Sequence, residues 1–298
     1  MISCDIVIVN WNSGKQLRNC LQSISERGIY RDVSINVIVI DNGSQDGSAE
    51  IPNDYPFQVQ ILKNQENRGF GAACNQGASI GAADFILFLN PDTILSGQSL
   101  LPPLELMRLP EHEMTGVVGV TLTGSTGHVE RGCCRLPDLK MFLSHAMGLD
   151  RLAPRRFPSH KMVEWDHLDS GYVDHVIGAF YLIRRTLFEQ LNGFDERFFV
   201  YLEDLDLSCR VAASGYKTYY FAEASAFHQG GGVSEQIKDI RLFYAIRSRL
   251  QYAIKHFSRT EAFLTLLMVV TVEPLVRILY LVLKGGGQGV WATVRAFG

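Results

Sequence analysis

The sequence predicts an α/β protein: a mostly parallel sheet flanked by helices, followed by C-terminal amphipathic helices. Three observations carry that prediction. Short β-branched runs alternate with helix-like segments through the first half of the chain. Three of those runs end in polar clusters, Asn10 to Asn12, Asp41 to Ser44 and Asn90 to Asp92, at the carboxyl ends of strands, where open sheets bind ligands. From Arg241 onward, apolar residues recur at near-helical spacing among Lys and Arg.

The elements follow in order. A first strand is expected at Asp5 to Val9. The opening MISCDIVIVNWN lacks a basic region and holds a charge within its apolar run, so it reads as this strand and not as a signal peptide. A helix follows Ser13, and a second strand runs from Ser34 to Ile40. The turn-forming DNGSQDGS then introduces a short helix after Asp46. A third strand at Gln58 to Leu62, a helix from Gly71 to about Ile80 and a fourth strand at Asp84 to Leu89 complete a Rossmann-like layout. Between Arg135 and Leu168, Pro137, Pro154 and Pro158 interrupt the pattern, which predicts an irregular or mobile insertion. Regularity returns with the apolar GAFYLIRR, a short helix closed by Asn192 and Gly193, a helix from about Glu203 to Ser214 stopped by Gly215, and a strand at Lys217 to Phe221. Beyond HQGGGVS, Phe243, Ile246, Leu250, Ile254 and Phe257 define one helical stripe, with Arg241, Arg249, Lys255 and Arg259 on other faces. Ala262 to Leu283 is very apolar but contains Glu273, Pro274 and Arg277, and its longest uncharged stretch falls short of a bilayer span. It is expected to lie on a membrane without crossing it, or to pack on the domain or on a second subunit.

Composition narrows the class. The 298 residues suffice for a large core without disulfides. With 28 basic and 31 acidic residues, the near-neutral chain is no general nucleic-acid binder. The charge is uneven: eight Lys/Arg and two Asp/Glu lie from Arg241 onward. Six cysteines without a CxxC pair or zinc-ligand spacing suggest a reducing compartment, and a cytoplasmic location is expected.

Several residues could do chemistry. Asp92, in LFLNPDT, would project into the ligand crevice and hold a divalent cation against a diphosphate, although Pro-Asp-Thr is also ordinary turn chemistry. Asp41 and Asn42 end the second strand, where a carboxylate can accept from a ribose hydroxyl or a base, or simply close a tight turn. FDERFFVYLEDLDLSCR holds five carboxylates within twelve residues. Acidic residues favour helix starts in any case. Glu203 and Asp204 nevertheless differ by about 100° around a helix, and one of them is a general-base candidate. His228, before the glycines, is a metal ligand or a backbone partner. The loop GFGAAC lacks the third glycine of a dinucleotide motif, and GxxxxGK[ST] is missing.

Taken in order, VIVNWNSGKQLRNCLQSI, VIVIDNGSQDGS, NQENRGFGAACNQG, FLNPD, GAFYLIRR, GFDERFFVYLEDLDLSCR and HQGGGVS resemble glycosyltransferase family 2, particularly its rhamnosyltransferase-like members. The resemblance extends through about residue 257. It implies a GT-A fold, inversion at the anomeric carbon, a nucleotide-sugar donor and Mg²⁺ or Mn²⁺. By that resemblance Asn10 and Asp41 contact the nucleoside, with Arg68 and Asn75 near the base and ribose. Asn90 to Asp92 takes the position of the family's DxD motif, with Asn90 in place of the first Asp, so Asp92 is the direct carboxylate ligand, and His228 matches the later metal-binding histidine. Asp204 matches the base that deprotonates the acceptor hydroxyl, and Glu203 orients it or binds acceptor. Gly178 and Ala179 resemble the floor of the acceptor site, and Arg247 and Arg249 resemble basic residues that reach the diphosphate. Ser248 stands where that pattern usually has Asn, and His175 where it often has Trp.

The implied function is inverting transfer of rhamnose from dTDP-rhamnose to a hydroxyl of a cell-surface polysaccharide or lipid-linked glycan. A UDP-hexose or UDP-galactofuranose donor, or a catalytically silent sugar-nucleotide-binding scaffold, are the alternatives. The basic, apolar C-terminus motivates peripheral attachment to the cytoplasmic membrane face, and a homo-oligomer is compatible with it. The expected organisation is a catalytic domain over 1–236, with a nucleotide-binding half to about residue 125 and an acceptor half over about 170–236, followed by a helical segment over 237–298.

Overall fold

The computed structural model describes residues 2–31, 33–52, 54–230, 238–283 and 293. The first half contains β1 (Ser3–Asn10), α1 (Gln16–Glu26), β2 (Ser34–Asp41), β3 (Val59–Lys63), α2 (Phe70–Ile80), β4 (Phe85–Leu89), β5 (Thr93–Leu95), α3 (Leu101–Arg108) and β6 (Thr115–Thr123). The rest contains β7 (Cys133–Cys134), α4 (Leu139–Ala146), α5 (Leu149–Leu152), β8 (Gly171–Val173), β9 (His175–Val176), β10 (Phe180–Arg184), α6 (Arg185–Gln190), α7 (Glu203–Ala213), β11 (Lys217–His228), α8 (Lys238–His256) and α9 (Arg259–Leu283).

The main sheet has the order β3-β2-β1-β4-β10-β6-β11-β5, with β8 added on β11. The β1 to β4 neighbours are parallel, β10 runs antiparallel to both β4 and β6, and β11 is parallel to β6. Strand residues alternate between two cores, because helices cover both faces. Ile6 and Ile8 of β1 pack with Leu17 and Leu21 of α1, whereas Val7 and Val9 pack with Ala73 and Cys74 of α2. That double burial explains why the strands read as continuous apolar runs.

The expected strands form, with ends shifted by one or two residues except at β11. Three local expectations are corrected. No helix follows Asp46: its carboxylate instead accepts from the N–H groups of Ser48 and Gly14, closing a turn. The proline-interrupted insertion carries α4 and α5, and α4 starts where Asp138 caps the Met141 N–H at 2.8 Å. β11 continues to His228 through a register shift after Phe221, because its far half still finds partners in β6 and β5.

α8 is docked onto the domain. Ser248 donates to the Val200 carbonyl and Gln251 to that of Arg197, and Tyr252 packs beside Phe142 and Phe198. Its buried face is Ile246, Ser248, Arg249, Tyr252 and Ala253, whereas Ile254 of the expected stripe is 72% exposed. Arg249 turns inward because buried Glu273 of α9 receives it. α9 is continuous through Pro274 and packs against α4 and α8.

Candidate active site

A cavity of about 630 Å³ opens at the carboxyl ends of β1 and β4, within the size range of small-molecule sites. Its walls are largely aromatic and aliphatic, with Trp11, Phe70, Phe199 and Tyr244 among them, and its polar side chains include Gln16, Asn42, Asn67, Asn90, Asp92, His228 and Arg241. Gly69 sits at the junction with φ of +89°, and a Cβ there would meet the Phe199 carbonyl oxygen at 2.5 Å. Only glycine allows α2 to begin this close to the loop before α7. The Phe70 N–H donates to that same carbonyl at 2.8 Å.

Asp92 and His228 meet on one side of the cavity. β5 and the end of β11 bring them together, with Thr93 opposite His228 in the antiparallel ladder. Asp92 Oδ1 lies 3.5 Å from His228 Nε2, and His228 Nδ1 lies 2.8 Å from Glu130 Oε2. Burial opposes a charge on this imidazole, but hydrogen bonds and charge from Asp92 and Glu130 prevail and raise its pKa to about 9. No group of three or more His, Cys, Asp and Glu is arranged to hold a metal ion among the described residues. The donors do fit an ion that takes its remaining ligands from a diphosphate: one carboxylate and one imidazole converge, and the second ring nitrogen is fixed by a carboxylate. Glu130 carries no motif, and nothing in its sequence neighbourhood points to His228, which lies far along the chain.

The acidic pair opens α7 just after Tyr201 and Leu202, two consecutive non-glycine residues with φ of 69° and 64°. Left-handed backbone of this kind costs about 1–3 kcal/mol per residue and gathers at functional sites. Asp204 Oδ2 accepts from the Gly178 N–H and Oδ1 from the Leu205 N–H, both at 2.8 Å. A Cβ on residue 178 would approach Asp204 Oδ2 to 3.2 Å, so glycine leaves the carboxylate room. The Asn90 N–H donates to the Ala179 carbonyl at 3.2 Å. Asp204 and the Asn90 to Asp92 loop therefore flank the same β4–β10 edge. Asp204 keeps part of its side chain open to solvent, and buried His175 lies 3.7 Å from it. Glu203 differs: it is buried, its Oε2 has no hydrogen-bond partner among the described residues, and burial with the Asp204 charge pushes its pKa well up. Like Asp204, Gly178 and Ala179, it is not among the residues that line the cavity.

The nucleotide-binding expectations divide. Asn10 is fully buried, and its amide donates to Asp41, Ser44 and Ser48 while accepting from Ser13, so it organises the strand ends and has no polar atom to spare. Asp41 lines a smaller polar cavity with Lys63 and Asn64, whereas its neighbour Asn42 reaches the large one. Asn42 in turn accepts from the Arg68 N–H, and the Arg68 side chain is exposed and outside the cavity lining. Asn75 is not at the cavity: it holds the main chain of Phe194 at both N–H and C=O, near 2.9 Å each, and so clamps α2 to the turn after α6. Arg249 is not there either, being committed to Glu273, and Arg247 is exposed on another face of α8. The α8 residues that do line the cavity are Ile240, Arg241 and Tyr244, with the Tyr244 ring stacked on Phe199 at 4.7 Å. Trp11 and Asn67 were legible, lying one or two residues from motif positions; Tyr244 and Arg241 needed the docking of α8.

Comparison with known proteins places this geometry. The chain is 29% identical over 237 residues to the N-acetylglucosaminyl-diphospho-decaprenol L-rhamnosyltransferase of Mycobacterium tuberculosis, covering 75% of each chain. It is 25% identical to the O-antigen chain rhamnosyltransferase RfbN of Salmonella typhimurium, covering 75% of this chain and 65% of that one. In structure it resembles a mannosyltransferase of Pyrobaculum calidifontis solved with GDP-Man and Mn²⁺, with a TM-score of 0.56 at 16% identity, over 98% of this chain and 73% of that one. The fold is GT-A. The family model for Glycosyl transferase family 2 matches residues 5–191, and the chain belongs to that family.

Proposed function

We propose that the protein is an inverting sugar transferase that moves rhamnose from dTDP-rhamnose to a hydroxyl of a cell-wall glycan or lipid-linked acceptor. The observation that carries this reading is the shared β4–β10 edge, with the Asp92–His228 pair on one side and Asp204, seated on Gly178, on the other. Similarity to two rhamnosyltransferases supports the donor sugar.

Asp92 and His228 would hold Mg²⁺ or Mn²⁺, which offsets charge on the departing nucleoside diphosphate. Glu130 fixes the His228 ring, and Arg241 adds a cation at the cavity wall. Asp204 takes the proton from the acceptor hydroxyl, with its own oxygens aimed by two backbone N–H groups. Attack on the face opposite the leaving group inverts the anomeric centre in one displacement. Glycine at 178 leaves the carboxylate room for the acceptor, and burial together with the Asp204 charge pushes the pKa of the neighbouring Glu203 up. Asn42 and the aromatic wall of Trp11, Phe199 and Tyr244 supply the surroundings for the nucleoside.

The test is a transfer assay with Mn²⁺ across dTDP-rhamnose, UDP-galactofuranose, UDP-hexoses and GDP-mannose, paired with the Asp204→Asn protein. The expected result is transfer from dTDP-rhamnose with an inverted product, lost in the variant while donor binding persists. Full transfer by Asp204→Asn would remove the base assignment, and preference for another donor would remove the sugar.

A further inference from the structure

A second cluster of titratable groups lies away from the cavity, where α7 meets the end of α8. Cys209 Sγ is 3.4 Å from His256 Nδ1, and His256 Nε2 is 2.7 Å from Asp206 Oδ1. Thiol, imidazole and carboxylate in that order form the arrangement that yields a thiolate, because the carboxylate stabilises the imidazolium that receives the proton. The surroundings add to it. Fully buried Asp206 also receives Lys255 at 2.7 Å and Arg210 at 2.8 Å, so three basic groups converge on one carboxylate. Lys255 is shared with Asp195, which Arg197 also pairs. Even with Asp195 included, basic groups outnumber carboxylates, and a negative sulfur restores part of the balance. His256 ends α8, where the helix dipole favours a cation.

Burial works against charge on both partners, yet their hydrogen bond and attraction lower the Cys209 pKa and, with Asp206, raise that of His256 to about 9. Tyr252 also hydrogen-bonds the sulfur, and Asp174 is the remaining acid near that ring. The other five cysteines are buried, with thiol pKa values pushed up by burial. Cys209 alone is partly exposed.

We propose that Cys209 is a modification site for soft electrophiles, hydroperoxides above all, acting as a thiolate held by His256. In the peroxide reaction the sulfur attacks one peroxide oxygen, the O–O bond breaks, and the departing alkoxide takes the proton from His256. The products are a sulfenic acid on Cys209, an alcohol and a neutral imidazole; sulfur loses two electrons and the peroxide gains them.

Iodoacetamide labelling of the folded full-length chain, read peptide by peptide at pH 6.0 and 8.0, tests the site. Cys209 is expected to react at least about tenfold faster than any of the other five cysteines, with a rate that rises less between the two pH values than the roughly 70-fold gain of an ordinary thiol. His256→Gln is expected to slow Cys209 labelling at pH 6.0 by about tenfold or more. Treatment with cumene hydroperoxide and dimedone is expected to leave an adduct on Cys209 in the wild type. An ordinary thiol's pH slope at Cys209 overturns the proposal, as does an unchanged labelling rate in folded His256→Gln. If that variant does not fold, the wild-type pH profile decides the matter.

Discussion

Asp204 is aimed before any substrate arrives, because two N–H groups fix both of its oxygens while glycine at 178 leaves its face open. Its replacement by Asn keeps the shape and removes the proton acceptor proposed for the reaction. Asp204→Asn is therefore expected to lower kcat by about 10²–10⁴-fold while donor affinity, measured by calorimetry, stays near wild type. Glu130 acts one step removed: it touches only the back of the His228 ring. Glu130→Gln is expected to weaken Mn²⁺ binding in the presence of dTDP by about 10–100-fold, and Asp92→Ala by at least as much. Equal Mn²⁺ affinity in all three proteins, measured by titration calorimetry, would separate these residues from the metal. Asp92 and Asp204 stand out as candidates because one follows and the other opens an element whose apolar period is visible, whereas His228 stands out only through the HQGGGVS string. Glu130 does not stand out, since its role comes from a contact between the segment after β6 and the end of β11 that no local pattern encodes. Asn10 and Asn75 were legible as polar residues near the site, but sequence cannot tell an amide that faces ligand from one consumed by neighbouring side chains or main chain.

At the scale of elements, the α8–α9 joint depends on a buried ion pair. Arg249 reaches Glu273, which also takes Arg277 at 2.7 Å, and Glu273 is 1% exposed. Glu273→Ala would leave the Arg249 guanidinium buried without its partner, at an expected cost of about 3–5 kcal/mol in urea unfolding. Arg249→Met combined with Glu273→Leu is expected to recover most of that loss, because apolar neighbours replace the pair without an orphaned charge. The α7–α8 joint has a pH signature. The folded His256 pKa, about 9, exceeds the ordinary value of 6.5, so its contribution is complete below about pH 6.5 and fades as pH rises to 9. The stability gap between wild type and His256→Gln is expected to narrow across that window. The positions of α1, α2, α6, α7 and α8 and most ends of the expected strands were readable from period and glycine punctuation. The inward face of α8 was not, because an Arg reads as solvent-facing until its acid appears on another helix. For the same reason α4 and α5 were hidden, as prolines at 137 and 154 flank these helices instead of breaking them.

For the whole molecule, the same ion pair decides how α9 meets its surroundings. By length and composition α9 could cross a bilayer. Yet Glu273 faces α8, and the helix packs along α4 and α8, so one side is committed to the domain. The polar residues that break the apolar run in sequence are thus withdrawn in space, leaving Phe263, Leu267, Val270, Leu275 and Leu279 exposed on the outer side. A surface of that kind, in the more basic part of the chain, suits the interface of an anionic membrane. Leu267 and Val270 are 44% and 55% exposed, so changing both to Glu should leave the unfolding midpoint close to wild type. Burying a side chain of this size contributes about 1.5–3 kcal/mol, so losing two from a membrane should cut partitioning onto phosphatidylglycerol vesicles by about tenfold or more. Added salt should weaken wild-type binding without abolishing it, since screening acts on the charges and not on the apolar face. Undiminished vesicle binding by the double variant would contradict this arrangement. So would a wild-type chain that ignores vesicles and sediments as a dimer through the same helix.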